Sequence, residues 1–158
     1  MAVGSLIVLC AACSTGSSSH SAPGSPTETG TAGLRVAATA WSDAFLTGTV
    51  VEIRSMEGAP CLSTTNANST GMESYLTGMR SAMEQHLGAP LGSIRITGVQ
   101  VRNVTATTGD AEVQYALPAS VVGNDNWVSY GYQDGQWKVT NCHAPIGGES
   151  QSASASTP

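Results

Sequence analysis

The sequence predicts an α+β fold, with helices in the first half packed on one face of an antiparallel sheet built from the second half. Three observations predict it. Apolar residues recur every three or four positions between residues 34 and 87, the period of a helix with one buried face. After Pro90 the period switches to two, the period of a strand. The strands are joined by short turns, which permit only antiparallel neighbours, and helices that precede such a sheet cover one of its faces.

The first helix begins near Leu34. Ala37, Trp41, Ala44 and Phe45 share a face, while Arg35, Ser42 and Asp43 lie off it, and Gly48 ends the run. Thr49 and Glu52 form a Thr-x-x-Glu capping box ahead of Val50, Val51, Ile53 and Met56. Gly58 and Pro60 stop this shorter helix, and residues 61–70 read as a polar loop. Thr70 with Glu73 repeats the capping signature, and Met72, Leu76, Met79, Met83 and Leu87 form the clearest amphipathic stripe, closed by Gly88 and Pro90. That stripe is either core against the sheet or, because methionine adapts to irregular shapes, the lining of a ligand cavity.

Ile94 and Ile96 open the strand region. Gly98 shifts the phase before Val99 and Val101, as a bulge does. Thr108-Gly109-Asp110 reads as a turn into Ala111, Val113, Tyr115 and Leu117. A loop through Pro118 and Gly123-Asn124-Asp125 leads to a strand at 127–132. Asp134-Gly135 is a hairpin signal, and the last strand, 136–142, carries Trp137 and Val139 on one face.

Residues 14–33 and 147–158 are built from small and polar residues and bury too little to order themselves. One domain, 34–146, remains between a tether and a tail. The chain carries six Lys plus Arg against eleven Asp plus Glu, a net charge of −5. So few and scattered cations exclude nucleic acid as a partner and electrostatic docking to anionic lipid.

Residues 2–12 (AVGSLIVLCAA) are too short to span a bilayer and read as a signal peptide. Leu9-Cys10-Ala11-Ala12-Cys13 resembles the lipobox of bacterial lipoproteins, although Cys10 stands where an aliphatic residue is usual. No basic residue precedes the apolar run, as expected if translation starts upstream. The resemblance implies that Cys13 is diacylated and becomes the first mature residue, with the domain held on the outer face of the cell membrane. Cleavage without lipid leaves a secreted protein instead. Cys10 leaves with the signal peptide, so Cys61 and Cys142 remain as an even pair, and a disulfide is expected in an oxidising compartment. The alternatives are free buried thiols or a metal site, but only His143 adjoins the pair and no ligand spacing accompanies it.

Ala40-Trp41 in the first helix and Asp134-Gly135-Gln136-Trp137-Lys138-Val139 near the end, in this order of elements, resemble the nuclear transport factor 2-like (cystatin-like, SnoaL-like) domain of actinobacterial lipoproteins. The resemblance covers residues 34–143 and implies a cone: a curved sheet wrapped around the long helix, its mouth an enzyme site, a ligand pocket or a plugged core. Relatives that isomerise or hydrate use an Asp or His base facing a Tyr or second acid. The candidates here are Asp43, His86, Asp110, Tyr115 and His143, and no spacing brings two of them together. No catalytic residue, cofactor or metal is therefore assigned. The expected function is a non-enzymatic binding module for a protein partner or an apolar small molecule, its pocket lined by Trp41, Phe45, Leu76, Met79, Met83, Tyr115 and Trp137. A SnoaL-type isomerase or hydrolyase is the alternative.

Overall fold

The computed structural model describes residues 27–65, 69–117 and 126–142. Four helices come first: α1 Gly30–Thr47, α2 Val50–Ser55, α3 Ala59–Thr65 and α4 Ser69–Leu87. A 3-10 turn, Leu91–Ser93, leads to strands β1 Arg95–Arg102, β2 Thr108–Ala116, β3 Val128–Gln133 and β4 Gln136–Val139. The four strands form one antiparallel meander in the order β1-β2-β3-β4. The α+β expectation is met at this level.

Register explains which side chains face the helices. Val99 pairs with Val113, Val101 with Ala111, Ala111 with Val128, Tyr130 with Val139 and Tyr132 with Trp137. Successive strand residues alternate faces, so these all point one way. They meet Leu34, Ala38 and Trp41 of α1, Val50 and Ile53 of α2, Cys61 of α3 and Leu76 of α4 in the main core. A smaller cluster of Leu46, Leu87, Leu91 and Ile94 closes the far end of α1.

Local rules account for several junctions. The capping box is complete: the Glu52 amide donates to Thr49 Oγ1, and the Thr49 amide donates to Glu52 Oε2 at 2.7 Å. Gly88 (φ +65°) ends α4 in the left-handed region that glycine enters without steric cost. The β1–β2 pairing slips between Ile96 and Gly98, the expected bulge. Asp134 (φ 52°) and Gly135 (φ 77°) make the two-residue turn whose twist matches the flanking strands.

Elsewhere long-range packing overrides local pattern. The chain is helical from Gly30, four residues before Leu34, because Gly33 and Leu34 are buried against the domain. Residues 61–70 are not a loop throughout. Helix α3 starts at Ala59, and the Cys61 and Leu62 amides bond to the Gly58 carbonyl at 3.0 and 3.1 Å. Pro60 falls in its first turn, where a missing N–H costs nothing. Thr70 lies inside α4 rather than ahead of it.

Thr108, Gly109 and Asp110 belong to β2, not to a turn. A Cβ at Gly109 would stand 2.6 Å from Leu34 Cδ2, so the glycine admits α1 to the sheet rather than bending the chain. The turn lies at 103–107, where Asn103 is left-handed (φ 53°) and Thr105 Oγ1 accepts from the amides of Thr107 and Thr108. Strand β4 ends at Val139, short of Cys142. Its free edge is covered by residues 56–58: the Val139 amide donates to the Met56 carbonyl at 2.9 Å, and the Gly58 amide donates to the Val139 carbonyl at 2.8 Å.

Candidate functional site

The seven residues expected to line a pocket lie mainly in the core. Trp41, Phe45, Leu76 and Trp137 are buried. Met79 and Tyr115 pack against the main core, Met83 packs against the smaller cluster, and Tyr115 touches both clusters. The methionine stripe of α4 is thus engaged in packing. A recess of about 340 Å³ lies elsewhere, at the end of α4, lined by Ser81, Glu84, Gln85, Gly88, Ala89 and Pro90.

A polar spot lies in the interior between α1 and β2. Ser42, placed off the buried face by its spacing, is fully buried. Helix α1 contacts the sheet, α2 and the 3-10 turn, so its buried arc is wider than one stripe. Ser42 Oγ, Tyr115 Oη and Trp41 Nε1 are buried and reach no partner at hydrogen-bond geometry. Burial pushes the Tyr115 phenol well above its ordinary pKa; the nearby Ser42 hydroxyl opposes the shift and the Asp43 charge adds to it. Tyr130 is pushed up in the same way, by burial and then by Tyr115. Burial holds both phenols in the neutral form at physiological pH. Asp43 itself is exposed on α1, and His86 is exposed in the last turn of α4. The interior therefore brings together Tyr115 and Ser42, with Asp43 at its margin.

Asp110 sits on the opposite face of the sheet. Its carboxylate accepts from Asn103 Nδ2 at 2.8 Å, Ser129 Oγ at 2.9 Å and Arg102 Nε at 3.5 Å. Burial acts to raise its pKa, but these bonds outweigh it and hold the carboxyl below the usual range. The Arg102 guanidinium also lies 4.0 Å above the Trp127 ring. These bonds take up the carboxylate as a tie between β1, β2 and β3. His143, like Cys13, lies outside the described residues.

Cys61 and Cys142 are bonded, with Cα atoms 5.1 Å apart, joining α3 to the chain beyond β4. Among the described residues no three His, Cys, Asp or Glu gather as a metal site. Among them, too, no helix is long and apolar enough to cross a membrane.

A second arrangement was not legible in the sequence. Tyr132 Oη donates to the Thr27 carbonyl at 2.6 Å, and Trp137 Nε1 donates to the Glu28 carbonyl at 2.9 Å. The two rings meet edge to face, with centroids 5.5 Å apart. The Asp134-Gly135 turn signals that two aromatics lie opposite each other. Nothing in 27–28 marks those residues as their partner.

No protein family, curated protein or solved structure matches this chain.

Proposed function

We propose that this chain is a lipid-anchored extracytoplasmic binding module. Cys13 carries the lipid, the residues after it form the tether, and the disulfide-stapled domain is displayed outside the membrane. The observation that carries this reading is the Cys61–Cys142 bond. Such bonds persist in oxidising compartments and are rare where thiols are kept reduced. The Ala11-Ala12-Cys13 sequence and the small, polar stretch behind it support the anchor. In this proposal the domain is a nuclear transport factor 2-like cone of actinobacterial type, with its sheet curled around the helices. Its interior residues are committed to packing, which favours a protein partner met at the surface over an apolar ligand held inside.

Mass spectrometry of the mature N-terminus tests the anchor. A diacylated Cys13 is expected, and Cys13→Ser should move the protein from the membrane to the soluble fraction. An intact residue 1–12 segment, or an unmodified start elsewhere, overturns it.

The Tyr115, Ser42 and Asp43 arrangement favours one second reading, the SnoaL-type isomerase or hydrolyase. A neutral buried phenol can donate to a developing oxyanion while a carboxylate takes a proton. Turnover found in a substrate screen and abolished by Asp43→Asn would establish it in place of the binding module.

A further inference from the structure

The sheet has two outer edges, and among the described residues only one of them is covered. Beyond β4 lie residues 56–58, bonded to Val139 at 2.8 and 2.9 Å. Strand β1, eight residues long, is outermost on the other side, and no further strand pairs with it among the described residues. The Arg35 guanidinium donates to the Val99 carbonyl, so Val99 turns its main-chain groups away from β2. That direction alternates along an antiparallel strand, so Val101 turns its own the same way. Among the described residues no partner meets the Val99 amide or the amide and carbonyl of Val101.

Positive charge gathers along this edge. The six Lys and Arg are scattered in the sequence, yet three of them, Arg35, Arg95 and Arg102, come together at β1. All three are exposed. Arg95 and Arg102 mark the two ends of the strand, and Arg35 reaches its middle from α1. Arg102 is held in a receptive pose. Its Nε faces the Asp110 carboxylate at 3.5 Å, and its plane lies 4.0 Å over the Trp127 ring. Neither Nη nitrogen meets a partner among the described residues. A guanidinium fixed in this way offers a carboxylate two parallel bonds. Cations on an edge keep neutral and basic strands away, but they draw an acidic one in.

We infer that the outer edge of β1 takes up an extended, acidic segment of a partner polypeptide as a fifth strand of the sheet. Main-chain bonds to Val99 and Val101 supply the pairing, and carboxylates of the segment on Arg95 and Arg102 supply the selectivity. Arg35 guards the edge until then, and it yields the Val99 carbonyl to an incoming amide. This deepens the reading of the domain as a binding module and rests on it. Its test reads β1 and not Cys13, so the two ideas fail separately.

The experiment is a nuclear magnetic resonance titration of the full mature chain, made soluble by Cys13→Ser, with the disulfide intact. The probe is the capped peptide Glu-Val-Glu-Val-Glu-Val-Glu. One control has lysine in place of every glutamate, and another is the acidic peptide N-methylated at every residue, which keeps the charge and loses the backbone donors. The Val99 and Val101 amide signals should move together and saturably, with a midpoint of about millimolar order, and their hydrogen exchange should slow. Both controls should bind at least about tenfold more weakly. Arg95→Glu should weaken the acidic peptide about fivefold. Unmoved Val99 and Val101 amides at about 10 mM peptide, equal midpoints for the acidic and basic peptides, or an unchanged midpoint in Arg95→Glu overturns the proposal. So does an N-methylated peptide that binds as well as its parent, because charge alone then accounts for the contact.

Discussion

Removing the Arg80 guanidinium should cost this domain a large part of its stability. Arg80 projects from α4 to the end of α1, where Nε donates to the Phe45 carbonyl at 2.8 Å. Its Nη2 donates to the Ala44 carbonyl at 2.7 Å and the Gly48 carbonyl at 2.8 Å. Helix ends leave their last carbonyls without intrahelical partners, and a cation there also meets the negative end of the helix dipole. The Ala44 carbonyl keeps a second donor, the Gly48 amide at 2.8 Å. In Arg80→Met the loss therefore falls on Phe45 and Gly48.

Two bonds to a charged donor are worth about 1.5–3 kcal/mol each. The dipole adds about 0.3–1 kcal/mol. Partial burial lowers the guanidinium pKa through desolvation, and relief of that desolvation offsets part of the loss. The net cost is about 2–4 kcal/mol, or roughly 10–20 °C in Tm for a domain of this size. Arg80→Lys keeps the charge but not the fork, and should lose about half as much. Urea unfolding of the oxidised protein measures both variants, with the slope unchanged. A cost below about 0.5 kcal/mol for Arg80→Met, a surface-like value, would refute the idea that this side chain joins α4 to α1.

Three further expectations rest on other contacts. The Cys61–Cys142 bond closes a separation of 81 residues, so Cys61→Ser with Cys142→Ser should lower stability by up to about 4–5 kcal/mol. Thiol titration of unfolded, unreduced wild type should find both cysteines unreactive. Gly109→Ala places a Cβ 2.6 Å from Leu34 Cδ2, and overpacking at so tight a contact should cost about 1–3 kcal/mol by thermal unfolding. Asp110 has a folded pKa below its unfolded value, so its contribution is complete at neutral pH and is lost as pH falls below about 4. Asp110→Asn should flatten that acid limb of the stability curve and leave the region above pH 6 flat, as in wild type.

What the sequence determined by itself is what short-range physics controls. The Thr49–Glu52 box, the Gly88 stop, the bulge at Gly98 and the Asp134-Gly135 turn each depend on atoms a few residues apart. The switch of apolar period near Pro90 determined the α+β class for the same reason. The cysteine pair was legible by counting. What only the tertiary structure decided depends on partners far along the chain. Cys61 reaches Cys142, and it does so from helix α3, in a segment that reads as loop. Leu34 presses on Gly109, turning a turn-like triplet into strand. Ser42 is buried because α1 touches the sheet, α2 and the 3-10 turn together. Thr27 and Glu28 are held through their carbonyls by Tyr132 and Trp137. Every residue type has a carbonyl, so no pattern of side chains in that segment could have announced the contact.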